Sequence, residues 1–139
     1  MTLPVLYLLD TNICVFVMNQ RPPQVRARMA AITADGQRLA ISSVTFHELR
    51  YGIANSVQKV QNQQRLDSFV AGLDVLDFGQ TAAGVAADQR ARLKTLGQPI
   101  GPYDLLIAGH ALALNAVLVT NNTGEFARVE GLSIEDWSL

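Results

Sequence analysis

The chain has 139 residues and a net charge of −1, from eleven basic and twelve acidic residues, which excludes a protein that grips nucleic acid by bulk charge alone. With 49% hydrophobic and 17% charged residues it is not a disordered chain, and its length suits one domain with a real core. A single cysteine, Cys14, excludes an intramolecular disulfide.

Val5–Leu9 (VLYLL) is a short continuous apolar run, the pattern of a buried parallel strand. TNICVFVMN follows as a helix that stops before Arg21-Pro22-Pro23. Cys14 lies in it among Ile13, Val15 and Phe16 and reads as a small buried hydrophobe in a reducing compartment. A second helix is predicted from Pro23 to about Ala34, closed by Asp35-Gly36. LAIS (Leu39–Ser42) is a brief strand, and SVTFHELRYGIANS and QKVQNQQRLDSFVAGL follow as helices. Asp74–Phe78 (DVLDF) reads as a strand. Thr81–Leu96 is a long Ala-rich helix ended by Gly97, with Pro99 as a further stop. Gly101-Pro102 opens another helix, to about Leu114. Ala116–Thr120 (AVLVT) is a strand, and LSIEDW suggests a last short one.

Apolar strands alternating with helices predict an α/β fold, a twisted, mainly parallel sheet flanked by helices on both faces, as one domain over residues 1–139. The apolar N-terminus lacks a basic n-region and is interrupted by Asp10, so it does not read as a signal peptide. The longest apolar run, Leu105–Val119, contains His110 and Asn115 and falls short of the roughly 20 residues of a membrane span. A cytoplasmic protein with no membrane contact is expected.

In open α/β sheets ligands bind outside the carboxyl ends of the strands. Asp10 follows one such end, and Thr120-Asn121-Asn122 follow another. Asp10 also suits a helix N-cap, because its oxygens accept orphan first-turn amides, and the two roles are compatible. Glu48 shares a helix side with Val44, Tyr51 and Gly52, while Phe46, Leu49 and Ile53 form the core stripe and His47 and Arg50 the solvent face. A glutamate is rarely fully buried unless paired or metal-bound. The alternative is a partly exposed Glu48 bridged to Arg50 or Arg65. Asp104 complements the dipole at a helix start, worth ~0.3–1 kcal/mol. It also shares its face with Ile107, Ala108 and Ala111 and so points inward.

If Asp10, Glu48 and Asp104 converge, each pair at ~4 Å repels by about 4 kcal/mol at an effective dielectric of 20. Such a cluster persists only with a cation or with raised pKa values. Hard oxygen donors select Mg²⁺ or Mn²⁺ over zinc. The only histidines, His47 and His110, have no metal-ligand spacing and read as surface or helix-face residues. There is no phosphate-cradling glycine loop and no nucleophile elbow.

These segments carry a resemblance. LLDTN, ISSVTFHELRYG, GQPIGPYDLLIAGHA and LVTNNTGEFARVEGLSIEDW, in that order across essentially the whole chain, resemble PIN-domain proteins, and more narrowly the VapC toxins of bacterial toxin–antitoxin pairs. IGPYD, AGHA and VTNNTGEF are most similar to the branch that cuts initiator tRNA in its anticodon stem-loop. The resemblance implies a ribonuclease dependent on one or two Mg²⁺ or Mn²⁺ ions, with Asp10, Glu48 and Asp104 as first, second and third family acids and Thr120 as the supporting polar residue. Asn12 would order Asp10 or its loop, or act only as a cap. Many relatives have T-N-D after the last core strand, where this chain has Thr120-Asn121-Asn122. Either Glu125 takes the fourth acidic role or Asn122 binds a metal-bound water, and the second metal site is weakened accordingly. The resemblance further implies a homodimer, a VapB-type antitoxin whose helix and extended segment cover the acids in a hetero-oligomer, and DNA binding only through that antitoxin.

RNA would be held by local charge, with Arg21, Arg26, Arg28, Arg50, Arg90, Arg92 and Lys94 as candidates. The rival reading is a catalytically weak PIN-fold binding or scaffold module, supported by Asn122 alone. A receiver-type signalling domain would require a lysine after a late strand, and the only lysines are Lys59 and Lys94.

Overall fold

The computed structural model describes residues 4–139; the part of the N-terminal reading that falls on Met1–Leu3 lies outside them. The elements run β1 (Leu6–Leu9), α1 (Thr11–Asn19), α2 (Pro23–Ala34), β2 (Arg38–Ser42), α3 (Ser43–Ala54), α4 (Lys59–Val70), β3 (Asp74–Leu76), α5 (Gln80–Thr95), α6 (Pro102–Leu114), β4 (Val117–Val119), α7 (Thr123–Phe126) and β5 (Ser133–Glu135). All four strand pairings are parallel, in the order β3-β2-β1-β4-β5. The expected α/β architecture is therefore present. The ends of several elements move by a few residues, and the single turn α7 had no separate signal.

The apolar runs are continuous because the sheet is covered on both sides. Leu9, Leu39, Ile41 and Val119 face one layer with Ile13, Cys14 and Val17 of α1, Val25 and Ile32 of α2, Leu49 of α3 and Leu66 of α4. Leu8, Ala40 and Leu118 face the other, against Leu93 of α5, Leu105, Ile107, Ala108 and Ala111 of α6 and Phe126 of α7. Cys14 is fully buried, as expected, and burial pushes its thiol pKa well above the ordinary value.

The chain steps outward from β1 to β2 and β3, then returns to add β4 and β5 on the other side of β1. The strand order thus reverses between β1 and β4, and the carboxyl ends of these two strands open the crevice where such sheets bind ligands. Helix α6 is apolar on nearly every side because it lies between the sheet and α5. Small residues let α5 and α6 approach closely: a Cβ built on Gly109 would lie 2.6 Å from Ala86 Cβ.

The same packing corrects the reading of His110 as a surface or helix-face residue. It is 2% exposed, with Nδ1 2.8 Å from Ser42 Oγ and its ring edge-on to Phe78 at 5.5 Å. Ser42 closes β2, caps α3 by accepting the Val44 amide, and so ties the sheet to α3 and α6. Burial lowers the pKa of His110 below the ordinary imidazole value, partly opposed by the charge of Asp77. The unfolded chain therefore takes up this proton first as pH falls. The stability due to neutral His110 is complete above about pH 6.5 and is lost as pH falls below it. Melting curves of wild type and His110→Gln between pH 7 and 5 are expected to converge as pH falls. Parallel curves would show that His110 does not titrate with unfolding.

Candidate active site

Asp10 sits where β1 becomes α1. Its backbone amide donates to the Val119 carbonyl at 3.0 Å, which locks the carboxyl ends of β1 and β4 together. Its side chain is 4% exposed. Oδ1 accepts the Ile13 amide at 2.9 Å, a helix cap, and Oδ2 accepts the Thr120 hydroxyl at 2.5 Å. The capping and crevice roles therefore coexist in one carboxylate. Burial raises its pKa, the bonds from Thr120, Ile13 and the Asn12 backbone pull it down, and the charge of Glu48 adds to the rise.

Thr120 is fully buried and works in two directions: its hydroxyl donates to Asp10 and accepts the Asn122 amide at 2.9 Å. The Asn122 side chain in turn donates to Glu125 Oε2 at 2.6 Å. Glu125 Oε1 accepts the Gly101 amide at 2.7 Å, just before α6. A Cβ on Gly101 would lie 3.6 Å from both Asp104 Oδ2 and Glu125 Oε1, so these two carboxylates flank one stretch of backbone. Burial raises the pKa of Asp104 to about 6, and the negative charges of Glu125, Asp10 and Glu48 add to it in that order.

Glu48 approaches from α3. Its Oε1 accepts the Thr11 hydroxyl at 2.6 Å, and among the described residues it forms no ion pair with Arg50 or Arg65. Thr11 was missed by the sequence reading although it directly follows Asp10. The signal available was a hydroxyl in the first turn after a strand-terminal acid. Tyr51 and Gly52, grouped with Glu48 by helical angle, are exposed, and Thr45 joins Leu49 in the core instead. Asn12 and Asn121 are exposed, Asn12 touching Asp10 through its backbone.

Asp10, Glu48, Asp104 and Glu125 thus come from four elements to one end of the sheet and act on one another through space. Among the described residues no three His, Cys, Asp or Glu groups form a ready-made cage for an ion. The donors are all hard oxygens, and their mutual repulsion is the charge a divalent cation would offset.

The basic candidates are not gathered into one patch. Arg21, Arg26 and Arg28 are exposed at α2, on one side of the sheet; Arg28 lies 3.5 Å from Glu135. Arg90, Arg92 and Lys94 lie on α5, on the other side. Arg92 is committed to structure: it donates to the Arg128 carbonyl at 2.6 Å and pairs with Glu130 at 3.5 Å. Arg50 is exposed on α3.

Residues 7–132 match the family described as PIN domain. Over 132 residues the chain is 44% identical to the tRNA(fMet)-specific endonuclease VapC of Shigella flexneri, covering 95% of this chain and 98% of that one. The chain is a PIN-domain protein of the VapC family. Its fold superposes on a chain of the VapBC2 crystal structure from Rickettsia felis, solved bound to a DNA fragment from their promoter, with a TM-score of 0.91, 41% identity and coverage of 96% and 99%. DNA-bound VapBC from Salmonella typhimurium matches with a TM-score of 0.89, 41% identity and coverage of 96% and 98%. As a PIN domain, it belongs to a family of divalent-metal-dependent ribonucleases.

Proposed function

We propose that this VapC-family chain is the toxin of a toxin–antitoxin pair, an endoribonuclease that hydrolyses initiator tRNA in its anticodon stem-loop and so stops translation. The observation that carries the reading is the convergence of Asp10, Glu48, Asp104 and Glu125 at the strand-order reversal, with Asp104 pushed up to about pKa 6. Asp10, Glu48 and Asp104 would hold Mg²⁺ or Mn²⁺, with Glu125 as fourth acid and Asn122 as its bracket. Such an ion, when bound, supplies a Lewis acid at the scissile phosphate and a water of lowered pKa.

The chain's own residues fix the donors. Thr120 and the Ile13 amide set Asp10, Thr11 sets Glu48, and Gly101 with Asn122 sets Glu125. A carboxylate of this cluster would take the proton of the attacking water. Hydrolysis by water leaves 5′-phosphate and 3′-hydroxyl ends. Attack by the 2′-hydroxyl calls for a pair of acid–base groups, and burial removes His110 from any such pair, leaving only His47. The inert-scaffold alternative rests on Asn122. Glu125, bonded at Gly101 beside Asp104, argues against it.

A VapB-type antitoxin is the expected partner, in a hetero-oligomer built on a toxin homodimer, with DNA bound only through the antitoxin. A groove lined by Val15, Met18, Leu49, Ile53 and Arg65 leads away from Thr11 and Glu48 and suits an amphipathic helix. Among the described residues no helix is long and apolar enough to cross a membrane, consistent with action in the cytoplasm.

The test is incubation of the purified chain with total tRNA and Mg²⁺, with and without EDTA, followed by sequencing of new ends. Discrete cuts in one anticodon loop, bearing 5′-phosphates and lost in EDTA, are expected. Undiminished cleavage in EDTA would remove the metal from the reading.

A further inference from the structure

The two helices that carry Glu48 and Asp104 also carry, one residue earlier in each, His47 and Tyr103. Their rings approach with centroids 5.7 Å apart at a 39° tilt, bridging α3 and α6 at the rim of the acid cluster. Tyr103 is 47% exposed, and His47 is exposed too, so neither ring is there to fill the core. One turn beyond His47 stands Tyr51, 66% exposed, with Arg50 beside it. His47, Arg50 and Tyr51 line one shallow depression that continues from the ring pair along α3. Among the described residues Arg50 forms no ion pair. Exposed aromatic surface and an unpaired cation therefore lie together on α3, with His47 next in sequence to Glu48 and Tyr103 next to Asp104.

Unpaired RNA bases are read by stacking on aromatic and histidine rings, and the backbone beside them is held by arginine. We propose that His47 and Tyr103 form the platform on which one unpaired base next to the scissile phosphate stacks, with Arg50 and Tyr51 continuing the track along α3. This deepens the ribonuclease reading and rests on it: the acids cut, and the ring pair sets which nucleotide lies beside the cut. The platform favours a looped-out base over a paired one, because a base within a duplex offers no free face.

The probe is an RNA hairpin with the anticodon stem-loop sequence of initiator tRNA, carrying 2-aminopurine at one loop position at a time. Titration with the Asp104→Asn protein, which holds RNA without cutting it, is expected to quench the label at one or two positions. Adding Tyr103→Ala should abolish that quenching and weaken binding about tenfold, the order of one lost base–aromatic stack, while Tyr103→Phe restores both. In steady-state cleavage, Tyr103→Ala and His47→Ala should raise KM more than they lower kcat. Since both rings are exposed, melting temperatures should stay unchanged. If both alanine variants keep the wild-type KM and quenching, the platform is wrong and the nuclease reading stands. If wild type cuts no RNA, the nuclease reading fails, and the quenching arm, which needs no cleavage, still supports or overturns the platform.

Discussion

Asp104→Asn is expected to lower metal-dependent cleavage by at least about 100-fold and, at the same time, to raise the melting temperature of the metal-free protein at pH 7. On the proposed function Asp104 would be a metal donor, and its removal would cost activity. Stabilisation follows from the pKa. Burial, then the charges of Glu125, Asp10 and Glu48, raise Asp104 from 3.8 to about 6 in the folded protein. The folded state therefore binds this proton more tightly than the unfolded chain. Its contribution to stability is complete below about pH 3.8 and is lost as pH rises through about 6. At pH 7 the folded protein carries an ionised Asp104 at a cost that asparagine does not incur. Because Asp104 is partly exposed, solvent screens that cost, and a gain of a few degrees is the expected scale, about 1 kcal/mol being worth roughly 3–5 °C in a domain of this size. Added Mg²⁺ should raise the melting temperature of wild type but not that of the variant. A variant melting below wild type without metal would mean that Asp104 is structurally supported rather than strained by its neighbours.

Gly109→Ala is expected to destabilise the protein by about 2 kcal/mol, a fall of roughly 5–10 °C in melting temperature. Ordinarily this exchange in a helix interior is favourable by up to ~1 kcal/mol. Here the new methyl would meet Ala86 at 2.6 Å from its Cβ, 2.7 Å from its Cα and 2.8 Å from its backbone nitrogen. Backbone cannot rotate away, so α5 and α6 must separate. Asp104 lies in the first turn of α6, and the segment joining the two helices contains Gly101, which holds Glu125. The same displacement therefore reaches the site, and activity should fall along with stability. Gly84→Ala is the matched control: that glycine is likewise inside a helix, α5, with nothing within 4 Å of its built Cβ, and the exchange should be neutral or stabilising. Equal effects at both positions would mean that helix propensity, and not the close approach at Ala86, decides the outcome.

Much of the scaffold was legible in the chain because its signals are local. A strand buried on both faces must be apolar throughout, so Leu6–Leu9 announces itself, and an acid directly after it must lie at the strand's carboxyl end. Pro102 starts α6, Gly97 stops the segment before it, and three residues of Asp104's helical face are core. What escaped was decided by contacts distant in sequence. His110 looked like a surface residue because a histidine is usually solvated; its burial depends on Ser42, 68 residues away, and on Phe78. Arg92 read as a candidate for holding RNA, and its carbonyl and carboxylate partners come from the segment after α7.

By itself, then, the sequence determined the strand and helix order, the parallel covered sheet, and Asp10, Glu48 and Asp104 as its notable acids, since each follows from pattern within a dozen residues. Only the tertiary structure decided how those acids are held. Thr120 reaches Asp10 across 110 residues, Thr11 reaches Glu48 across 37, and Gly101 joins Glu125 to the Asp104 turn across 24. Hydrogen bonds of this kind depend on angles and distances of a few tenths of an ångström between different elements, and local periodicity carries no record of them.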